Sequence, residues 1–226
     1  MARTTVKICG LRTREIVQSV CALSVDQIGF VFAKSRRQVS PELVRELLAM
    51  ARENVCPPQA FGVFVNPGLA DLAHVLSIAP LHAVQLHGTE SPEFCREVRN
   101  RFGVKTYKVF SVKNAEKGKN AADRMLPYQG VIDGAFIDTY DPVIGGGTGK
   151  AFGWDIIPDY LRVAEKIGVP LIIAGGLTAE NVGRLLSQYD IHGVDVSSGV
   201  ETDGEKDGAK IRQFVERVRN HDASSG

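Results

Sequence analysis

Apolar runs typical of buried strands alternate with stretches of helical periodicity along the chain. Eight such runs predict strands at 6–10, 27–32, 60–65, 83–88, 106–112, 134–139, 170–176 and 193–199. The segments between them carry apolar residues at helical spacing; residues 40–55, for example, begin with Ser40 as a predicted N-cap and Pro41 in the first turn. Regular alternation of strands and helices predicts a parallel sheet covered by helices.

Two α/β architectures can hold this alternation, a closed barrel and an open doubly wound sheet. Eight strand–helix units in 226 residues favour the closed (β/α)8 TIM barrel. The open sheet is disfavoured because no GxGxxG turn follows the first strand, and the glycine-rich segments come after strands six, seven and eight. No linker divides the chain, so we predict a single domain over 1–226, with a frayed tail at 221–226.

Composition and charge limit the kinds of partner. Hydrophobic residues make up 44% and charged residues 23%, as in an ordinary soluble globule. Lys and Arg number 27 against 26 Asp and Glu, so nothing in the net charge of +1 favours nucleic acid or an anionic membrane. The chain has no apolar run of membrane-spanning length and no signal-peptide pattern. We expect a cytoplasmic protein, either monomer or homodimer, that binds a small molecule.

The cysteines do not predict a metal site. None of the four forms a CxxC pair, and none has a histidine at zinc-ligand spacing: Cys9, Cys21, Cys56 and Cys95. In a reducing compartment they are expected to be free thiols.

Lys7 and Cys9 share one face of the first strand, because side chains alternate along a strand. In a closed barrel, active sites form where the strands end. If Cys9 is the last inward-facing residue, Lys7 lies one layer below it inside the barrel. A buried lysine needs a partner, and the first and eighth strands are neighbours in a barrel, so we predict an ion pair between Lys7 and Asp195. A structural and a catalytic role fit this pair equally well.

Other strand ends and one loop carry further polar side chains. Gln85 and His87 share a face at the end of the fourth strand, and Asp138 ends the sixth strand facing inward. A histidine in this position suits a structural role as well as substrate binding. After the second strand, Arg36 and Arg37 are adjacent, and Arg37 is nearer the following helix. Its planar guanidinium would suit a carboxylate at the barrel mouth.

Three late segments are rich in glycine. AGGL at 174–177 and SSGVE at 197–201 end strands and precede helical sequence, where backbone N–H groups and the helix dipole favour an anion. Phosphate binding after strands seven and eight recurs in this barrel. DPVIGGGTGK at 141–150 is not a P-loop, because Ala151 stands where Ser or Thr is required. We interpret it as a mobile lid.

Nine motifs in order resemble the phosphoribosylanthranilate isomerase family of tryptophan biosynthesis: KICGLR, GFVF, SRRQVSPE, GVFVN, VQLHG, FIDT, GGTGKAFGW, AGGLTAENV and DVSSGVE. The resemblance spans residues 5–220 and touches every predicted strand. It implies an Amadori rearrangement of N-(5-phosphoribosyl)anthranilate, an aminoaldose, into 1-(2-carboxyphenylamino)-1-deoxyribulose 5-phosphate. It implies no redox cofactor and no metal ion.

The resemblance also implies roles for individual residues. Asp138 would be the acid that protonates the furanose ring oxygen, and Cys9 the base that removes the C2 proton. Arg37 would bind the anthranilate carboxylate. The phosphate would be held by Gly175, Gly176, Ser198 and Gly199, and the residues near the substrate would be Lys7, Gln85, His87 and Asp195.

These roles require particular protonation states. A free thiol is mostly protonated at neutral pH, so Cys9 would need a cationic neighbour, for which Lys7 is suited. Asp138 would need a raised pKa in order to donate a proton near neutral pH.

Two other functions account for part of this pattern. Another isomerase or epimerase of a phosphorylated sugar would predict a metal site or a carboxylate pair at the strand ends, where this sequence has a thiol and an aspartate. A catalytically silent scaffold would predict loss of Cys9 or Asp138, and both are present. Activity on a second aminoaldose stays open.

Overall fold

The structure is a computed structural model that describes residues 3–112, 121–138 and 154–224. Eight parallel strands run in chain order around a closed barrel, in which the first strand also pairs with the eighth. The strands are β1 (Thr5–Cys9), β2 (Gln27–Val31), β3 (Gln59–Phe64), β4 (Ala83–Leu86), β5 (Lys105–Ser111), β6 (Gly134–Asp138), β7 (Leu171–Ala174) and β8 (Gly193–Val196). The predicted (β/α)8 barrel is confirmed, and all eight predicted strands are present.

Helices follow the strands and cover the barrel. They are α1 (Arg14–Cys21), α2 (Pro41–Ala51), α3 (Leu69–Ile78), α4 (Pro92–Phe102), α5 (Ala121–Met125), α6 (Ile157–Ile167), α7 (Val182–Gln188) and α8 (Gly208–Ser224). Local sequence explains where they begin. Ser40 caps α2 as predicted, by accepting a hydrogen bond from the N–H of Leu43, and Ser91 caps α4 in the same way. The lid predicted over 141–150 lies outside the described residues.

The segment after β8 differs from the prediction. SSGVE does not run directly into a helix, but forms a 3-10 turn at Ser198–Val200 followed by a short antiparallel hairpin. The hairpin strands are β9 (Glu201–Thr202) and β10 (Glu205–Lys206), joined by Asp203 and Gly204 with positive φ. The helix α8 begins only at Gly208, after this hairpin.

The carboxyl-terminal helix is longer than predicted. Residues 221–224 belong to α8, so this part of the predicted frayed tail is helical. Asp222 explains the difference, because it accepts hydrogen bonds from the backbone and hydroxyl of Thr4 and from Arg219. These bonds tie the last turn of the helix to the chain just before β1. No helix among the described residues is long and apolar enough to cross a membrane.

Aromatic rings fill the barrel below the strand ends. The rings of Phe61, Tyr107 and Phe136 meet edge to face, with centroids 4.9 to 6.4 Å apart. Lys7 Nζ lies above this layer, 5.2 Å from the centroid of Phe136. The interior is therefore packed up to Lys7, and polar side chains begin at that level.

The amino-terminal end of the barrel shows a fourfold pattern of hydrogen bonds. A polar side chain just before each even-numbered strand accepts from a backbone N–H at the start of the preceding odd-numbered strand. The pairs are Asp26 with Val6 (2.8 Å), His82 with Ala60 (2.9 Å), Asp133 with Thr106 (2.8 Å) and His192 with Leu171 (3.2 Å). These bonds join neighbouring strands at the end of the barrel that serves stability.

Candidate active site

A cavity of about 500 Å³ opens at the carboxyl ends of the barrel strands. It is lined by every site residue predicted from the sequence except Lys7: Cys9, Arg37, Gln85, His87, Asp138, Gly175, Gly176, Asp195, Ser198 and Gly199. Lys7 lies beneath the cavity and is fully buried. Two larger cavities, each of about 640 Å³, contain none of these residues. The structure thus brings these side chains together at one mouth of the barrel.

Lys7 and Asp195 form the predicted buried ion pair. The two residues lie opposite each other on β1 and β8, and Lys7 Nζ is 3.0 Å from Asp195 Oδ1. Burial favours the neutral amine, but the negative charge and hydrogen bond of Asp195, with a contribution from Cys9, outweigh it and raise the pKa of Lys7. Lys7 is therefore an ammonium directly below the cavity floor.

Cys9 is a buried thiol beside this ammonium. Burial raises the pKa of Cys9 more than Lys7 lowers it, and Asp195 adds to the rise. Lys7 acts in the predicted direction, but it does not by itself make Cys9 a thiolate in the ligand-free cavity.

Gly29 makes room for both side chains. A Cβ at this position of β2 would lie 2.7 Å from Cys9 Sγ and 3.1 Å from Lys7 Nζ. Our sequence analysis missed this residue, although a glycine in the interior of an apolar strand is a known sign of close approach by another group.

Asp138 and His87 meet across the mouth. His87 Nε2 is 3.3 Å from Asp138 Oδ2, and both side chains are partly exposed to the cavity. They come from β6 and from the end of β4, with β5 between these strands. The imidazole therefore provides Asp138 with a polar partner within the cavity.

Arg37 is held by Glu201, which the sequence analysis quoted but did not assign. Arg37 Nε and Nη2 lie 2.7 and 2.9 Å from the two Glu201 oxygens. Arg36 Nη2 and Lys206 Nζ each lie 2.6 Å from the same carboxylate. Burial would raise the pKa of Glu201, but hydrogen bonds from Arg37 and Lys206 lower it to about 2. Lys206 was not predicted, because it lies on a hairpin that the apolar pattern does not indicate.

The loops after β7 and β8 pack directly on each other. Gly175 and Gly176 have φ values of 90° and 62°, which suit glycine. A Cβ at Gly199 would lie 1.8 Å from the carbonyl oxygen of Leu177. The two glycine-rich segments thus form one continuous backbone surface beside the cavity, as a phosphate cradle requires.

Comparisons with known proteins agree on one family. The model of "N-(5'phosphoribosyl)anthranilate (PRA) isomerase" matches residues 6–217. The protein of that name from Brevibacillus brevis is 46% identical over 222 residues, covering 98% of this chain and 96% of the relative.

Solved structures give the same result. The phosphoribosylanthranilate isomerase of Thermotoga maritima superposes with a TM-score of 0.79 and 33% identity, covering 96% of this chain and 99% of that one. A structure of such an isomerase with reduced 1-(o-carboxyphenylamino)-1-deoxyribulose 5-phosphate gives a TM-score of 0.76 at 32% identity, with coverage of 96% and 99%. This chain belongs to the phosphoribosylanthranilate isomerase family.

Proposed function

We propose that this protein catalyses the Amadori rearrangement of N-(5-phosphoribosyl)anthranilate in tryptophan biosynthesis, with Asp138 as general acid and Cys9 as general base. Membership of the family supports the reaction. One observation carries the assignment of roles: a thiol from β1 and a carboxyl group from β6 line the same cavity. Asp195 also lines it, but its Oδ1 is bound to Lys7, which favours a thiol–carboxyl mechanism over one with two carboxylates.

The first step needs an acid. Asp138 gives its proton to the furanose ring oxygen while the C1–O bond breaks, and the lone pair of the anthranilate nitrogen forms a C=N double bond. The product is an open-chain iminium ion with a positive charge next to C2. The contact of 3.3 Å between His87 Nε2 and Asp138 Oδ2 provides a partner for the carboxylate left behind.

The second step needs a base. The thiol of Cys9 gives its own proton to water in the open cavity, and the thiolate then removes the C2 proton. The electrons of the C–H bond form the C1=C2 bond of an enolamine, which neutralises the nitrogen. The hydroxyl at C2 then loses its proton to form the C=O bond, and C1 gains a proton, which gives the ketone. Burial disfavours the thiolate before substrate binds. The cationic iminium and Lys7 favour it when the intermediate is present, so the reactive charge develops only in the occupied cavity.

The remaining side chains support binding at three places. The guanidinium of Arg37 suits the anthranilate carboxylate, and the surface formed by Gly175, Gly176, Ser198 and Gly199 suits the phosphate. Gln85 is buried at the cavity, and its Oε1 has no hydrogen-bond partner in the described part of the chain. An unsatisfied buried amide is costly, which supports a contact between Gln85 and the substrate.

The test follows the loss of substrate fluorescence with freshly made phosphoribosylanthranilate. We expect turnover by the parent, and rates lower by about 10² to 10⁴ in Cys9→Ser and Asp138→Asn, since a positioned acid or base contributes that much. Cys56→Ser and Asp159→Asn are matched controls, because these residues are exposed and lie outside the cavity. A folded parent without turnover would overturn the proposal, and a fully active Cys9→Ser would overturn the role of the thiol.

A further inference from the structure

Glu201 lies at the centre of a charged cluster at the cavity mouth, formed with Arg36, Arg37 and Lys206. We propose that Glu201 is a positioning residue, which holds Arg37 so that one edge of its guanidinium faces the substrate carboxylate. The inference rests on the proposed function and assigns Glu201 a part in substrate binding. The Glu201 side chain is only 5% exposed, so its hydrogen bonds are shielded from water.

The hydrogen-bond geometry leaves the binding edge of Arg37 available. Glu201 accepts hydrogen bonds from Nε–H and from one Nη2–H of the guanidinium, at 2.7 and 2.9 Å. A guanidinium has five N–H donors, so the two on Nη1 and the second on Nη2 remain on its other side. Those donors form a second fork that matches a carboxylate. Glu201 thus fixes the rotation of Arg37 without occupying the edge that binding requires.

The stem of Arg37 is fixed as well. A Cβ at Gly10, which has a φ of 80°, would lie 2.6 Å from Arg37 Cδ, so the arginine passes directly over the backbone after β1. Because its aliphatic part lies against Gly10 and its guanidinium binds Glu201, the Arg37 side chain is pre-organised. This reduces the entropy lost when substrate binds.

The same contacts distinguish the two arginines. Arg36 reaches Glu201 through Nη2, and its side chain is 59% exposed, whereas that of Arg37 is 22% exposed and bound through two nitrogens. This favours Arg37 as the carboxylate-binding residue. Arg36 then adds positive charge at the rim.

Lys206 connects this cluster to the loop after β8. Its Nζ donates to Glu201 at 2.6 Å and to the carbonyl oxygen of Ser197 at 2.9 Å. Burial lowers the pKa of Lys206, and the hydrogen bond and charge of Glu201 oppose that change. Ser197 Oγ in turn donates to the carbonyl oxygen of Cys9. Glu201 therefore links the arginine, the β8 loop and the end of β1.

The test compares Glu201→Gln with Glu205→Gln. Both residues lie on the same hairpin, and Glu205 pairs with Arg12, but neither Glu205 nor Arg12 lines the cavity. We expect Glu201→Gln to raise KM for phosphoribosylanthranilate about tenfold with kcat changed less than about twofold, the pattern of lost uniform binding. Glu205→Gln should behave as the parent.

A second substrate separates positioning from structural damage. N-Phosphoribosylaniline lacks the carboxylate, so its KM should be nearly the same in the parent and in Glu201→Gln, and Glu201→Gln should have no further effect in an Arg37→Ala background. If Glu201→Gln does not fold, Glu201→Asp keeps the charge and shifts the carboxylate by one methylene. An unchanged KM for phosphoribosylanthranilate in Glu201→Gln, or an equal rise in the KM of both substrates, would overturn this inference and leave the proposed function standing. A parent without turnover would overturn the proposed function with it.

Discussion

At the scale of the residue, the protonation of Cys9 is set by competing neighbours. Burial raises the pKa of the thiol, Lys7 lowers it, and Asp195, which neutralises Lys7, raises it again. Asp195 thus holds the Lys7 ammonium in place and at the same time weakens its effect on the pKa of Cys9. A base that stays protonated in the free cavity is also protected from oxidation and alkylation, which require the thiolate.

Gly29 tests how closely the thiol must be placed. Gly29→Ala would put a Cβ 2.7 Å from Cys9 Sγ, and the sulfur must move, since this distance is too short for a carbon–sulfur contact. We expect kcat/KM to fall about 10²-fold, because a shift of about 1 Å can cost that much, and stability to fall by about 1 to 3 kcal/mol from overpacking.

Gly208→Ala is the matched control for Gly29→Ala. A Cβ at Gly208 meets no heavy atom within 4 Å among the described residues, and the position is the first of α8. Its activity should equal that of the parent. Steady-state kinetics and urea unfolding of both variants measure the two effects. Full activity of Gly29→Ala would show that Cys9 tolerates displacement and would count against its role as base.

At the scale of the element, local sequence determines the barrel strands and the starts of some helices. Apolar runs and Ser-Pro caps are contiguous signals, so they predict β1–β8, α2 and α4 without tertiary information. The β9–β10 hairpin has only two residues in each strand, and its Thr-Asp-Gly-Glu turn lacks flanking apolar alternation. Glu201 and Lys206 lie on this hairpin, and this is why the sequence did not indicate them.

The contact of Glu201 with Arg37 also joins residues 164 positions apart in the chain. Such a contact depends on the closure of the barrel and not on any local pattern. The Lys7–Asp195 pair is still more distant in sequence, at 188 positions, but it could be predicted, because a buried lysine demands a partner and barrel closure makes β1 and β8 neighbours.

His82 makes the hydrogen bond between β3 and β4 sensitive to pH. Its Nδ1 accepts from the N–H of Ala60, so the bond needs a neutral imidazole, and burial with nearby Arg52 and Lys105 lowers the pKa of His82. A folded pKa below the unfolded value means that protonation favours the unfolded state. The stability that this hydrogen bond contributes is fully present above about pH 6.5 and is lost as the pH falls through the pKa of His82 in the folded protein.

His82→Asn isolates this effect, because the asparagine oxygen can accept the same bond without titrating. We expect the free energy of unfolding of the parent to fall more between pH 7.5 and pH 5 than that of His82→Asn. The difference should be below about 1 kcal/mol, since the side chain is only partly shielded and solvent screens its charge. Urea unfolding at both pH values measures it. Equal losses in the two proteins would show that the bond does not depend on the charge of His82.

At the scale of the whole molecule, the ion pair between Lys7 and Asp195 joins the first and last strands and forms the floor of the site. The Lys7 side chain is 0% exposed, and the residues of the layer below it, Phe61, Ala83, Tyr107, Val109, Phe136 and Ile172, include no carboxylate that could replace Asp195. One contact therefore both joins β1 to β8 and holds the charge beneath Cys9. This explains why a costly buried ion pair stands where apolar residues would pack as well.

A double-mutant cycle measures that dependence. Lys7→Met leaves a buried carboxylate and Asp195→Asn leaves a buried ammonium, so each should lower the free energy of unfolding by about 3 to 5 kcal/mol. The double variant removes both charges, so its loss in the free energy of unfolding should be much smaller than the sum of the two single losses. The exposed pair of Arg162 and Asp159 is the reference, with an expected coupling below about 1 kcal/mol. Urea unfolding of the four proteins in each cycle gives the coupling energy. Additive losses at Lys7 and Asp195 would mean that the barrel closes without their attraction, and the pair would then be retained for its effect on Cys9 alone.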